Sequence, residues 1–131
     1  MKRVVVTGIG MINSLGLDKE SSFKAIVAGQ CGIKSISSFD TTEHSVKIAG
    51  EITDFDPNTV MNPKDVKKAD RFIHLGLKAA QEAMMDAKFE SFEAESFGVS
   101  SASGVGGLIV IEKNSIVISE KGPKKVSPFF I

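Results

Sequence analysis

The chain has 131 residues, a length typical of one domain, and carries 16 Lys and Arg against 16 Asp and Glu, a formal net charge of +0. This balance excludes a global field that would attract nucleic acid or a membrane surface, and no apolar run approaches the ~20 residues that a membrane span needs. One cysteine excludes an internal disulfide, and the apolar run near Met1 is too short for a signal peptide, so we expect a cytoplasmic protein.

The first half of the chain predicts strands and one helix. Residues 4–6 are three β-branched valines, which favour a strand buried on both faces. Asp18 can cap a helix over about residues 18–28, which Gly29 ends. Residues 46–52 alternate weakly and indicate a second strand.

The strongest helix signal begins with Asn62 as a cap and Pro63 in the first helical position. Apolar residues then recur at helical spacing, and they are Val66, Ala69, Phe72, Ile73, Gly76, Leu77, Ala80, Ala83, Met84 and Ala87. Small residues in this stripe indicate close packing against a neighbouring element. Residues 97–102 predict another buried strand, and 108–119 favour a helix. Strands that alternate with helices predict a layered α/β fold.

The glycines at positions 8 and 10 follow the first predicted strand, as they do in a dinucleotide-binding turn. That site requires a third glycine at position 13, where this chain has Asn13, and an acidic residue about twenty positions later. Asp40 is too distant and follows no predicted strand. A tight strand-to-helix turn is therefore favoured over nucleotide binding.

Cysteine and histidine give no sign of a reactive or metal-binding centre. Cys31 follows a predicted helix C-terminus, whose dipole disfavours a thiolate, so a structural role is favoured. His44 and His74 have no cysteine or carboxylate at ligand spacing, which predicts no metal site. His74 is expected on the solvated side of the long helix. No motif indicates a cofactor.

Basic residues form the clearest candidate binding surface. Those that share one face of the long predicted helix are Lys64, Lys67, Lys68, Arg71 and Lys78. Lys124 and Lys125 form a second cluster. A solvated helix face is the favoured interpretation of the pattern, and a dock for an acidic partner is the alternative. Nucleic acid fits poorly, because the chain has no Trp, no Tyr and no net positive charge.

A glycine cluster lies between a predicted strand and a predicted helix. Gly104, Gly106 and Gly107 would allow another backbone or a ligand to approach closely. No Lys-Ser or Lys-Thr pair follows, so the cluster is not a phosphate-binding loop. A crowded packing turn is the simpler interpretation.

Five segments together carry a family resemblance. In chain order they are RVVVTGIGM at 3–11, AGQCGI at 28–33, DRF at 70–72, SGVGGL at 103–108 and GPKKVSPFF at 122–130. They extend through the whole chain in order, and they resemble the amino-terminal third of the β-ketoacyl-acyl-carrier-protein synthases. The resemblance is greatest to the type II condensing enzymes of bacterial fatty-acid synthesis.

The resemblance implies a thiolase-like fold, with this chain as the N-terminal portion of its layered αβαβα core. It also implies a homodimeric acyltransferase that elongates acyl chains by decarboxylative Claisen condensation with malonyl-carrier protein. In the family a cysteine accepts the acyl chain, two histidines stabilise the oxyanion and a lysine supports them. None of these four matches a position of this chain, so no catalytic residue is assigned and the chain alone is expected to be inactive.

What the resemblance assigns to this chain is a binding surface. Val105 matches a residue of the acyl-chain pocket, and the segment near that pocket at the dimer interface is matched by Phe129, Phe130 and Ile131. The positions that match the basic surface for the acidic acyl carrier protein are Lys64, Lys67, Lys68, Lys124 and Lys125.

Because the sequence stops on the apolar run 129–131, we expect residues 1–131 to be a truncated N-terminal part of a synthase domain. A different class remains open, that of a non-catalytic carrier-binding or assembly module. A polyketide-type synthase that acts on related substrates is a weaker alternative.

Overall fold

A computed structural model describes residues 2–89 and 91–128. In this part of the chain the α-helices are α1 (Lys19–Val27), α2 (Pro63–Val66), α3 (Arg71–Ala87) and α4 (Leu108–Lys121). Short 3₁₀ turns occupy Pro57–Thr59, Ala94–Ser96 and Pro123–Lys125. Strands β1 (Lys34–Ser35) and β2 (Ile48–Ala49) pair antiparallel, with Lys34 opposite Ala49 and Ser35 opposite Ile48.

The chain divides into two compact units. The first comprises Met1–Asp56 and Leu77–Ser91, and the second comprises Pro57–Gly76 and Phe92–Ile131. Ala25 and Phe55, 6% and 7% exposed, are the buried apolar side chains among the described residues, and both belong to the first unit.

Helix α1 has the cap residues that the sequence predicts at both ends. Asp18 Oδ1 accepts a hydrogen bond from the Ser21 N–H at 2.8 Å, and this bond lowers the pKa of the Asp18 carboxyl. At the other end Gly29 has φ +67°, its N–H donates to Ile26, and the N–H of Gln30 donates to Ala25. These two bonds form a Schellman motif, which satisfies the last carbonyls of the helix.

The predicted strand at residues 4–6 is wrong for this structure. No strand includes these residues within the described chain, and Val4 and Val6 are 92% and 81% exposed. β-Branched residues favour extended backbone, but a strand also needs a partner ladder, and none of the described segments supplies one.

The backbone that follows, residues 8–11, is held by α3 instead. The Ile9 N–H donates to Asp86 Oδ2 at 3.0 Å, and the Met11 N–H donates to Glu82 Oε2 at 2.8 Å. These two carboxylates stand four residues apart on one face of α3, so they match the alternate N–H groups of an extended segment.

Glycine at positions 8 and 10 allows this segment to lie directly on the backbone of α3. A Cβ built on Gly10 would lie 1.8 Å from the Ala79 carbonyl oxygen, and one on Gly8 would lie 2.1 Å from that of Ala83. Close approach of two backbones is thus why glycine is required here, rather than the strand-to-helix turn that the sequence suggested.

The single long helix predicted from Asn62 to Ala87 is two helices. Asn62 does cap α2, because its Oδ1 accepts from the N–H groups of Lys64 and Asp65 at 3.1 Å each. The helix then ends after Val66, and α3 begins at Arg71. Asp70 starts α3, since its carbonyl accepts from Ile73 and its Oδ1 accepts from the Arg71 N–H. An aspartate that bonds nearby backbone favours a helix start over a helix interior.

The small residues of the predicted stripe do not all pack. Ala83 lies under residues 8–11, called the glycine segment here, but Ala80 is exposed and Gly76 has open space around it. Ala79 and Ala87 complete the packed face with Ala83, at a spacing of one helical turn.

The last third of the chain confirms one predicted element and corrects another. Residues 108–119 were assigned to a helix, and α4 contains all of them. Residues 97–102 form no strand in the described structure and are exposed, because no other segment pairs with them. The predicted strand at 46–52 is present only as the two residues of β2.

Candidate functional site

The first lysine cluster comprises Lys64, Lys67 and Lys68 and lies on α2 and the turn that follows it. Lys64 is in the first turn of the helix, and Lys67 is its C-cap residue. All three are exposed. Lys68 Nζ lies 3.7 Å from Asp65 Oδ1 in a half-exposed pair, which contributes little to stability.

The predicted basic stripe on one continuous helix is therefore wrong. The break between Val66 and Arg71 interrupts the helical periodicity on which the stripe depended. Lys78 is half-buried and belongs to the first unit, where its charge helps to lower the pKa of the Asp18 carboxyl. The candidate binding surface on this side is therefore the cluster of Lys64, Lys67 and Lys68, and Lys78 is not part of it.

The second lysine cluster lies on the 3₁₀ turn that follows α4. Gly122 ends the helix with φ +77°, a value that favours glycine, and its N–H donates to the Ile118 carbonyl at 3.1 Å. Lys124 and Lys125 then project from the turn Pro123–Lys125, and both are exposed.

Four of these five lysines have no partner within the described residues. The ammonium groups without a hydrogen bond or an ion pair there are those of Lys64, Lys67, Lys124 and Lys125. All four belong to the second unit. Each can therefore bind an external anionic group without first breaking an internal contact.

Val105 lies in a turn that leads into α4. The Gly106 N–H donates to Ser103 Oγ at 2.9 Å, and Gly106 has φ +69°, which turns the chain sharply. The Phe72 ring lies under this turn, 3.8 Å from the point where a Gly106 Cβ would be. The Val105 side chain is 70% exposed. Phe129, Phe130 and Ile131, which the family resemblance matches to the segment near the same pocket at the dimer interface, lie outside the described residues.

Residues 70–74 carry two buried polar atoms that the sequence did not reveal. His74 is only 6% exposed, so its predicted position on a solvated helix face is wrong. The helix break after Val66 changes which face is buried. Asp70 Oδ2 and His74 Nε2 are both buried without a hydrogen-bond partner among the described residues. The one feature of the sequence that pointed to this region is the segment DRF at 70–72, which belongs to the family resemblance.

A groove in the first unit contains none of the predicted site residues. Its volume is about 320 Å³, and it is lined by Ile9, Met11, Lys19, Glu20, Phe23 and Asp86. The Lys19 ammonium pairs with the Asp86 carboxylate and, together with the Ile9 N–H, lowers the pKa of that carboxyl.

The described residues include no metal cluster, since no three His, Cys, Asp or Glu side chains converge. Cys31 is exposed, and its thiol donates only to the Ile33 carbonyl, at 3.8 Å. Over the same residues, every helix is too short or too polar to cross a bilayer.

The family model described as "Beta-ketoacyl synthase, N-terminal domain" matches residues 1–131. This chain belongs to the β-ketoacyl synthase family. The family assigned from the five sequence segments is thus confirmed.

Curated β-ketoacyl synthases agree with this assignment. The chain is 47% identical to the "3-oxoacyl-[acyl-carrier-protein] synthase 2" of Vibrio cholerae serotype O1. It is 37% identical to the protein of the same name from Synechocystis and 36% identical to that from Staphylococcus aureus strain COL. Each match covers 99% of this chain and 32% of the relative. The chain therefore spans about a third of the length of these relatives.

A solved ketosynthase structure has the same fold. The ishigamide ketosynthase/chain length factor matches 96% of this chain and 32% of its own with a TM-score of 0.73 at 24% identity. The thiolase-like α/β fold expected from the resemblance is confirmed, although the strands at 4–6 and 97–102 are not formed here.

Proposed function

We propose that residues 1–131 are the N-terminal part of a 3-oxoacyl-[acyl-carrier-protein] synthase II. The complete enzyme would transfer an acyl chain from acyl carrier protein to a cysteine. Decarboxylation of malonyl-carrier protein would then supply the carbanion that attacks this thioester. The names of the relatives, which are up to 47% identical over 99% of the chain, support this assignment.

The role proposed for this chain is to bind acyl carrier protein. The observation that carries the proposal is the set of four exposed lysines that have no partner in the described part of the chain, all in the second unit. Charges of this kind mainly raise the association rate and fix the orientation of an acidic partner. Because they are exposed, salt should weaken their effect strongly.

The acyl-chain pocket would include the turn that carries Val105. An exposed valine between two glycines offers apolar surface that a ligand chain can approach closely. Phe129, Phe130 and Ile131 complete this proposal from the sequence alone, as pocket and dimer-interface residues. The complete enzyme is proposed to be a cytoplasmic homodimer.

No residue of this chain is assigned to the acyl-transfer chemistry, and we infer that the chain alone is inactive. The alternative function is a non-catalytic carrier-binding or assembly module. It is supported by the same lysines, which need no catalytic residue to bind a partner. Both functions predict carrier binding by this chain and no condensation by the chain alone. The condensation activity of the complete protein separates an enzyme from a module.

Titration of the ¹⁵N-labelled chain with acyl carrier protein tests the binding role. Amide shifts should concentrate at residues 64–68 and 122–126. Raising the salt from about 0.1 M to about 1 M should abolish them, since the Debye length falls from ~10 to ~3 Å. The charge-reversal variant Lys64→Glu with Lys67→Glu should weaken binding roughly tenfold, because each new carboxylate faces an acidic partner.

The matched control is Lys24→Glu with Lys34→Glu, which reverses two exposed lysines of the first unit. It should leave binding within about twofold. Equal loss in both variants would mean non-specific attraction and would remove the basis of the docking proposal. Formation of a 3-oxoacyl product by the purified chain with acyl- and malonyl-carrier protein would contradict its inactivity.

A further inference from the structure

The N-terminus of α4 lacks a side-chain cap of its own. The cap residue is Gly107, which has no side chain to offer. The N–H of Leu108 donates back to the Gly106 carbonyl at 3.1 Å, but those of Ile109 and Val110 have no acceptor within the described residues. An uncapped first turn leaves backbone donors unsatisfied and concentrates the positive end of the helix dipole.

The carboxylate of Asp70 lies at this helix end. A Cβ built on Gly107 would lie 3.0 Å from Asp70 Oδ2 and 3.7 Å from Asp70 Cβ. Both residues belong to the second unit. A Cβ at this position would press on the carboxylate, which would have to move by a few tenths of an ångström.

Neighbouring backbone donates a hydrogen bond to only one of the two carboxylate oxygens of Asp70. Oδ1 accepts from the Arg71 N–H at 2.6 Å, whereas Oδ2 is buried and accepts no hydrogen bond from the described residues. His74, one turn along α3, does not supply the donor, because its Nε2 also has no partner within residues 2–89 and 91–128. A buried carboxylate oxygen without a donor is costly unless a positive field compensates it.

We propose that the Asp70 carboxylate is the N-terminal charge cap of α4 and thereby a positioning residue for the turn that carries Val105. The negative charge offsets the positive helix end, and the fixed N-terminus of α4 holds the preceding turn at 103–107. The link to the acyl pocket rests on the proposed function, since only that function gives Val105 a role. The cap itself does not depend on it.

The test is amide hydrogen exchange of the 131-residue chain, followed by NMR. Asp70→Asn keeps the size of the side chain and removes its charge. Exchange of the Ile111 amide, whose N–H donates to the Gly107 carbonyl at 2.9 Å, should accelerate roughly two- to fivefold, and the last turn of α4 should not change. Glu120→Gln removes the same charge near the other end of α4 and should leave Ile111 unaffected.

A second pair of variants tests the contact if Asp70→Asn fails to fold. Gly107→Ala places a methyl group 3.0 Å from Oδ2, so the carboxylate should move and the Arg71 amide signal should shift. Gly104→Ala adds the same methyl group in open space and should shift nothing at Arg71.

Unchanged Ile111 exchange in Asp70→Asn, faster exchange at both ends of α4, or an unmoved Arg71 signal in Gly107→Ala would each overturn the proposal. These results are separable from the proposed function. Absence of carrier binding by the original chain, with the exchange effect of Asp70→Asn intact, would refute the carrier-binding role alone. Carrier binding without the exchange effect would refute the charge cap alone.

Discussion

Glu51 gathers four donors from two consecutive serines. The N–H and hydroxyl of Ser37 donate to Oε2 at 2.7 and 2.9 Å, and those of Ser38 donate to Oε1 at 3.2 and 2.5 Å. These bonds, the Ser38 hydroxyl first, lower the pKa of the Glu51 carboxyl from 4.5 to about 2. Glu51 lies two residues after β2, and its carboxylate thus connects the end of β2 to the two serines that follow β1.

The direction of this pKa shift fixes its effect on pH dependence. A lowered pKa means that the ionised carboxylate is favoured by the fold. Its contribution is therefore present above pH 4.5 and is lost as the pH falls from 4.5 towards 2. We expect the Ser37 and Ser38 amide signals to hold steady from pH 6 to pH 3.5 in NMR spectra.

Two variants isolate the Glu51 effect. Glu51→Gln should shift both serine amides already at pH 6, because the neutral amide accepts more weakly and one of its ends is a donor. Glu43→Gln changes an exposed carboxylate without a partner in the described structure and should change neither. A midpoint near 4.5 at Ser38 would show that the bonds do not persist in solution.

Among the elements, α3 organises the first unit through backbone contact and paired carboxylates. Glu82 also accepts the Lys19 N–H at 2.9 Å, so one side chain holds both the Met11 backbone and the start of α1. Two bonds from one carboxylate to two segments fix the entry to α1 relative to α3.

Gly10→Ala should disrupt this arrangement. The new Cβ would lie 1.8 Å from the Ala79 carbonyl oxygen, which cannot rotate away as a side chain would. We expect a loss of about 1–3 kcal/mol in the free energy of unfolding, measured by urea denaturation. Gly98→Ala is the control, because that glycine has open space and no positive φ, and it should change stability by less than about 0.5 kcal/mol. Equal effects of the two substitutions would refute the contact.

Helix ends were more predictable from the sequence than strands or buried faces. Asp18, Gly29 and Asn62 act through bonds to residues within a few positions, so their chemistry is local and visible in sequence. The strands at 4–6 and 97–102 depend on partners elsewhere, which local pattern cannot supply.

The features of the candidate site also divide into those that the sequence predicted and those that it did not. The exposed lysines were identified first from their spacing and clustering in the sequence and then from the family resemblance, and their exposure could be expected of charged residues. The burial of His74 and the approach of Asp70 to Gly107 follow from where α2 ends and how α4 packs, so no spacing rule anticipates them.

At the scale of the whole molecule, apolar surface is exposed in both units. Val4 and Val6 in the first unit and Val99 and Val105 in the second are between 70% and 92% exposed. Large exposed apolar patches favour association. We expect sedimentation equilibrium to give a mass above the 14.0 kDa monomer that rises with protein concentration.

Charge introduced at Val4 and Val6 should reduce this association. Val4→Asp with Val6→Asp removes apolar surface and adds repulsion, so the average mass should fall towards the monomer. Ser45→Asp with Ser91→Asp adds the same charge at exposed polar positions and should have a smaller effect. A monomeric mass for the original chain at every concentration would contradict the expectation.

The contact between the glycine segment and α3 also restricts how this sequence can change. The atoms nearest to a Cβ on Gly8 or Gly10 are backbone carbonyl oxygens of Ala83 and Ala79. A second substitution on the helix can shorten a side chain, but it cannot remove a carbonyl. Neither glycine therefore has a compensating partner, and a larger residue at either position can be accommodated only by moving the segment away from the helix.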